Sequence, residues 1–109
     1  MKKTMQIATI ICSFAALSSV AASAVEVTAV NRTVKVVGSH APTFGFVSFV
    51  EGVDPLCQFS TLYYDVATSL GKSMQNVLLL AKATGNKVWV QYSTPTALGQ
   101  CNMYLAAAE

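Results

Sequence analysis

The chain has 109 residues, with seven basic and five acidic side chains, a formal charge of +2 and a hydrophobic fraction of 53%. Lys2 and Lys3 belong to the N-terminal segment, and without them five basic and five acidic residues balance. So small, apolar and neutral a chain has room for one domain and carries no basic patch to attract nucleic acid or an anionic membrane.

The first residues read as an export signal rather than as part of the fold. Lys2 and Lys3 give a positive start, Ile7 to Leu17 an apolar run, and Ala22-Ser23-Ala24 an A-x-A site, so cleavage is expected between Ala24 and Val25. The run is too short to span a bilayer, and no second apolar segment of about 18 residues follows. Lipidation at Cys12 is disfavoured because Ile11 stands where a small residue is needed. The expected organisation is a signal peptide over 1–24 and a single domain over 25–109, periplasmic or secreted from a bacterium.

Val25 to Val37 alternates apolar residues in two pieces, which predicts a long first strand bent or bulged at Asn31-Arg32. Gly38 to Pro42 is turn material. Phe44, Phe46, Val47, Phe49 and Val50 make a second strand, and Glu51-Gly52-Val53-Asp54-Pro55 a second turn. CQFSTLYYDVA reads as a third strand with Cys57, Phe59, Thr61 and Tyr63 on one face and Leu62, Tyr64 and Val66 on the other.

A helix is expected next, capped at Ser69 or Thr68. Its buried stripe would be Leu70, Met74, Val77, Leu78 and Ala81, widened by Leu79 and Leu80, and Gly85 would end it. NKVWVQY follows as a fourth strand, with Val88, Val90 and Tyr92 on one face and Trp89 and Gln91 on the other. Thr94 to Gly99 is a loop, and Cys101 to Ala106 a short fifth strand. Three strands, a helix and two strands is the element order of an OB-like barrel, a five-stranded Greek key with its helix between the third and fourth strands. One helix on an open α+β sheet is the alternative.

Cys57 and Cys101 are the only cysteines of the mature chain, and in an oxidising compartment they are expected to form a structural disulfide. The bond would close a loop of about 45 residues and contribute about 4 kcal/mol in the chain-entropy model. A metal site would need more ligands than this pair, and a redox pair would favour C-x-x-C spacing.

No catalytic constellation stands out. Gly71-Lys72-Ser73 resembles the tail of a phosphate loop, but Val66 occupies the position of its first glycine. His40 is the single histidine and lies beside a turn, without a GxSxG nucleophile elsewhere. Glu51 and Asp54 read as a solvated turn rather than an acid/base pair. Asn31-Arg32-Thr33 matches a glycosylation sequon of no consequence behind a bacterial signal. The aromatics are the better lead, since Tyr63-Tyr64, Trp89, Tyr92 and Tyr104 make a dense set of amphipathic rings for so short a chain. Trp89, with Gln91 and Ser93 on the same face, is the candidate sugar platform or subunit contact, core packing being the bland reading of the ring.

The run FSTLYYDVATSLGKSMQNVLLLAKATGNKVWVQYS…ALGQC, from Phe59 to Cys101, resembles the second half of the B subunits of subtilase-cytotoxin-like and pertussis-like AB5 toxins. It is also similar to small exported bacterial proteins with a GKxM…LLxAKATGxKVxV core. The toxin resemblance implies an OB-fold that assembles as a ring, binds cell-surface glycans and accompanies a catalytic A subunit. This chain is shorter than those subunits and its first half offers no match, so no glycan-site residue carries over. The expectation is a non-enzymatic, exported binding module without metal or cofactor, forming a homo-oligomer. The alternative is a small periplasmic structural or interaction protein.

Overall fold

The computed structural model describes residues 24–109, so the segment over 1–24 that is expected to be a signal peptide lies, but for Ala24, outside the described residues. The strands are β1 (Val25–His40), β2 (Phe44–Phe49), β3 (Cys57–Asp65), β4 (Lys87–Thr94) and β5 (Gly99–Ala108), with helix α1 (Ser69–Thr84) between β3 and β4. They close a barrel in the order β1-β2-β3-β5-β4. All neighbours are antiparallel except β3 and β5, which run parallel. This is the expected OB-like architecture.

β1 makes closure feasible by serving two partners. Its first part, Val25 to Thr33, pairs with β4, and its second, Val34 to His40, with β2. The handover falls where the sequence placed the bulge. Asn31 takes a left-handed φ of 55° and the β4 register slips between Ala29 and Arg32. Asparagine tolerates that conformation better than a branched side chain would.

The barrel interior holds Val47, Leu62, Leu78, Val88, Val90, Tyr92 and Cys101, all fully buried. Tyr92 stays buried because its hydroxyl has a partner, accepting from the Asp54 amide at 3.0 Å. Tyr64 is also buried, and desolvation pushes its phenol up to about 12.

Helix α1 is capped by Thr68, whose hydroxyl accepts from the Gly71 amide at 2.9 Å, and it ends at Gly85 with φ 76°. Its buried face is Gly71, Met74, Leu78 and Ala81. Leu70, expected to start the stripe, is instead 55% exposed. The first turn presses so closely on the end of β3 that a Cβ at Gly71 would lie 1.7 Å from the Asp65 carbonyl oxygen. Only glycine fits there, and Gly71 rather than Leu70 takes the inward position at the start of the stripe while Met74, Leu78 and Ala81 keep theirs. Leu79 (46% exposed) and Leu80 (64%) point away from the barrel, and Val77 is half-buried against the core.

The expected alternation of β3 also fails, for a local reason. Cys57 faces the core together with Leu62 and Tyr64, although they differ in parity, and Phe59 is exposed. Phe59 and Ser60 take left-handed φ values of 61° and 50°, which switches the faces between Cys57 and Leu62. Cys57 and Cys101 form the disulfide, with Cα atoms 5.2 Å apart.

Candidate functional site

The face that stands out lies on the outer side of β1, β2 and β3. Alternation along β2 sends Gly45, Val47 and Phe49 inward, leaving Phe44, Phe46 and Ser48 on the outside. Register then aligns Gly38, Phe46 and Tyr63 in one row across three strands and His40, Phe44 and Asp65 in the next. Gly38 opens the space for this arrangement. A Cβ there would meet the Phe46 ring at 3.1 Å, so the ring lies over the glycine backbone rather than standing off from it.

The result is a shallow groove of about 300 Å³ lined by His40, Phe46, Phe59, Thr61 and Tyr63. That volume is at the small end of ligand sites. Phe59 is 79% exposed and stands at the groove on the left-handed excursion of β3. Its carbonyl accepts from the Thr61 hydroxyl at 2.8 Å, which closes a local turn. The lining is thus three aromatic rings, an imidazole and two hydroxyls, with neither ammonium nor carboxylate among the five residues. Such a surface can stack on a flat or half-apolar ring and offer polar tips to its edge. In OB-like barrels, the face of the second and third strands is also where oligosaccharides and oligonucleotides bind.

Trp89, Gln91 and Ser93, the candidates read from the sequence, are together on another face. They point outward in a row from β4, each half-buried, while Val88, Val90, Tyr92 and Thr94 fill the interior. Gln91 lies opposite Thr28 and Leu105, and its side-chain amide donates to the Thr28 hydroxyl at 3.2 Å. Ser93 lies between Glu26 and Asn102, and Trp89 opposite Ala107. Across the same surface the Tyr104 hydroxyl donates to the Glu26 carboxylate, and Gln100 donates to Asn102. These polar groups are largely occupied by one another.

The turn carboxylates have structural partners. Glu51 accepts from the Thr33 amide at 2.7 Å and the Thr33 hydroxyl at 2.8 Å, with the Lys87 ammonium at 3.6 Å. The amide bond above all holds its carboxyl down to about 2. Asp54 accepts from the Leu56 amide at 2.9 Å and so shapes its own turn. Gly71-Lys72-Ser73 is the first helical turn, with the Gly71 amide already taken by Thr68. Among the described residues no three His, Cys, Asp or Glu side chains converge as metal ligands, and no helix is long and apolar enough to cross a membrane.

Of the groove residues, the sequence placed His40 beside a turn, Tyr63 among the aromatic leads, and Phe59, Thr61 and Tyr63 on one face of the third strand, but it did not bring them together as a site. Phe46 and Tyr63 carry a visible outward alternation, but their meeting depends on register. Alternation put Phe59 on one face with Thr61 and Tyr63 but also with Cys57, and the backbone excursion that exposes Phe59 while Cys57 stays in the core left no mark in an apparently regular strand.

No protein-family model, curated protein or solved structure matches the chain. The toxin-subunit resemblance therefore rests on the run from Phe59 to Cys101 alone.

Proposed function

We propose that this chain is a non-catalytic, exported binding module that holds a saccharide on the aromatic groove of β1, β2 and β3. The observation that carries the reading is the groove lined by His40, Phe46, Phe59, Thr61 and Tyr63. Its rings offer the flat apolar contact that a pyranose face requires, and its polar tips suit sugar hydroxyls. Neutrality of the domain favours this over nucleic acid, whose binding draws mainly on phosphate contacts by cations. Among the described residues that line the groove, none sets a carboxylate beside His40, and Asp65 stands two strands away in its register row. The disulfide fits an oxidising compartment.

A glycan array probed with the mature domain tests the reading. Binding to a restricted set of glycans, lost in Phe46→Ala and Tyr63→Ala and kept in Trp89→Ala, is the expected result. Retention of binding in both groove variants would move the site elsewhere.

The exposed Leu79 and Leu80 favour a second element of the proposal, self-association through the outer face of α1, and a catalytic A-type subunit as a further partner rests on the toxin resemblance alone. Light scattering at micromolar concentration should give a mass several times that of one domain, reduced by Leu80→Lys. A monomer mass for the unmodified chain would remove the assembly.

A further inference from the structure

We propose that Phe59 is the specificity-determining wall of the groove, carried on a stapled excursion of β3, and that the ring it selects is an uncharged pyranose. The proposal rests on the reading of the groove as a saccharide site. Its basis is the way β3 is paired. Between two successive pairings with β5, β3 advances from Cys57 to Leu62 while β5 advances only from Gly99 to Cys101. Three extra residues must therefore leave the ladder, and they do so with Phe59 and Ser60 both left-handed.

A bulky aromatic residue rarely adopts that conformation, and here it acquires no burial in exchange, because the ring is exposed. The backbone is held from both sides. Cys57 begins the excursion and is bonded to Cys101, and Cys101 is the register partner of Leu62, which ends it. One disulfide thus pins both feet of a short arch. At its top the Thr61 hydroxyl grips the Phe59 carbonyl. The ring stands beside the Phe46–Tyr63 pair without packing into the core, an arrangement suited to closing on a third body.

The charge of that body follows from the surroundings. Among the described residues the groove lining holds no ammonium or guanidinium, and the register row of His40 and Phe44 ends in Asp65, whose carboxylate also accepts from the Ala67 amide at 2.8 Å. An anionic sugar would meet the Asp65 carboxylate there, with no ammonium or guanidinium among the described lining residues to pair with it.

The test titrates the disulfide-bonded mature domain with maltotriose, cellotriose, chitotriose and 3′-sialyllactose, following amide shifts by NMR. At least one neutral trisaccharide should bind, with 3′-sialyllactose at least tenfold weaker. Phe59→Ala should lower affinity at least tenfold, Phe59→Trp should retain it, and Ser60→Gly, which loosens the arch but leaves the ring, should lower it about threefold. Phe59 is exposed, so these variants are expected to fold, and their unchanged core shifts check this. Neutral binding that Phe46→Ala abolishes and Phe59→Ala leaves intact overturns the wall and spares the groove. Preference for 3′-sialyllactose overturns the uncharged ligand. Binding of none of the four removes both this proposal and the reading beneath it.

Discussion

The two outer faces of this barrel both carry aromatic rings and hydroxyls, and they employ them in opposite ways. Around Trp89 the side chains answer one another across strands. Gln91 on β4 and Tyr104 on β5 reach Thr28 and Glu26 on β1, so the face ties these three strands together, while Gln100 reaches Asn102 along β5 itself. Around Phe46 the rings flank an open groove, and one of them stands on strained backbone with little contact. A half-buried Trp among cross-strand partners contributes to stability, whereas an exposed Phe on a left-handed residue costs stability. Counting aromatics identifies neither role; what each ring touches does.

The sharpest way to break the contrast is to remove the staple beneath the groove face. Replacing Cys57 and Cys101 together by Ala should lower unfolding free energy by about 4 kcal/mol, read from the urea midpoint, because the loop they close spans a separation of 44 residues. A loss below about 1 kcal/mol would mean that barrel pairing alone holds the arch. Next in size, Trp89→Ala should cost about 2 kcal/mol while Phe59→Ala stays within about 0.5 kcal/mol of the parent. Equal losses in thermal unfolding would erase the distinction between the faces.

The smallest effect concerns Glu51, which joins the turn after β2 to Thr33 on β1 and Lys87 on β4. Its folded-state pKa is depressed from 4.5 to about 2, so its contribution is present above the ordinary value and is lost as pH falls through about 2. The melting temperature of the parent should therefore drop further than that of Glu51→Gln between about pH 5 and about pH 2. Parallel profiles would show that the exposed contacts contribute nothing measurable.

What was legible in the sequence was whatever short-range chemistry decides. Thr68 and Gly85 delimit α1, Asn31 marks the bend of β1, and strict alternation from Val88 to Tyr92 assigns the inside of β4. The barrel order followed from these elements and the known economy of Greek-key closure. Leu70 escaped because the close approach of α1 to Asp65 decides which residue faces inward, and that approach is a tertiary fact. Phe59 escaped because CQFSTLYYD alternates convincingly, and the extra length is visible only against β5. The groove is built from such cross-strand coincidences, whereas Trp89 was found through alternation alone.

The divided service of β1 has a consequence for the order in which the molecule assembles. Its second part meets β2 across the short turn after His40, a contact available as soon as that hairpin exists. Its first part pairs with β4, with Val25 lying opposite Thr94, 69 residues later. Closing so long an interval costs chain entropy before any pairing repays it, so folding should be slow for a domain of this size, in the millisecond-to-second range typical of barrels rich in distant contacts. Until β4 is available, the leading half of β1 is an unpaired strand edge, the part of the molecule most in need of shelter while the chain is still incomplete.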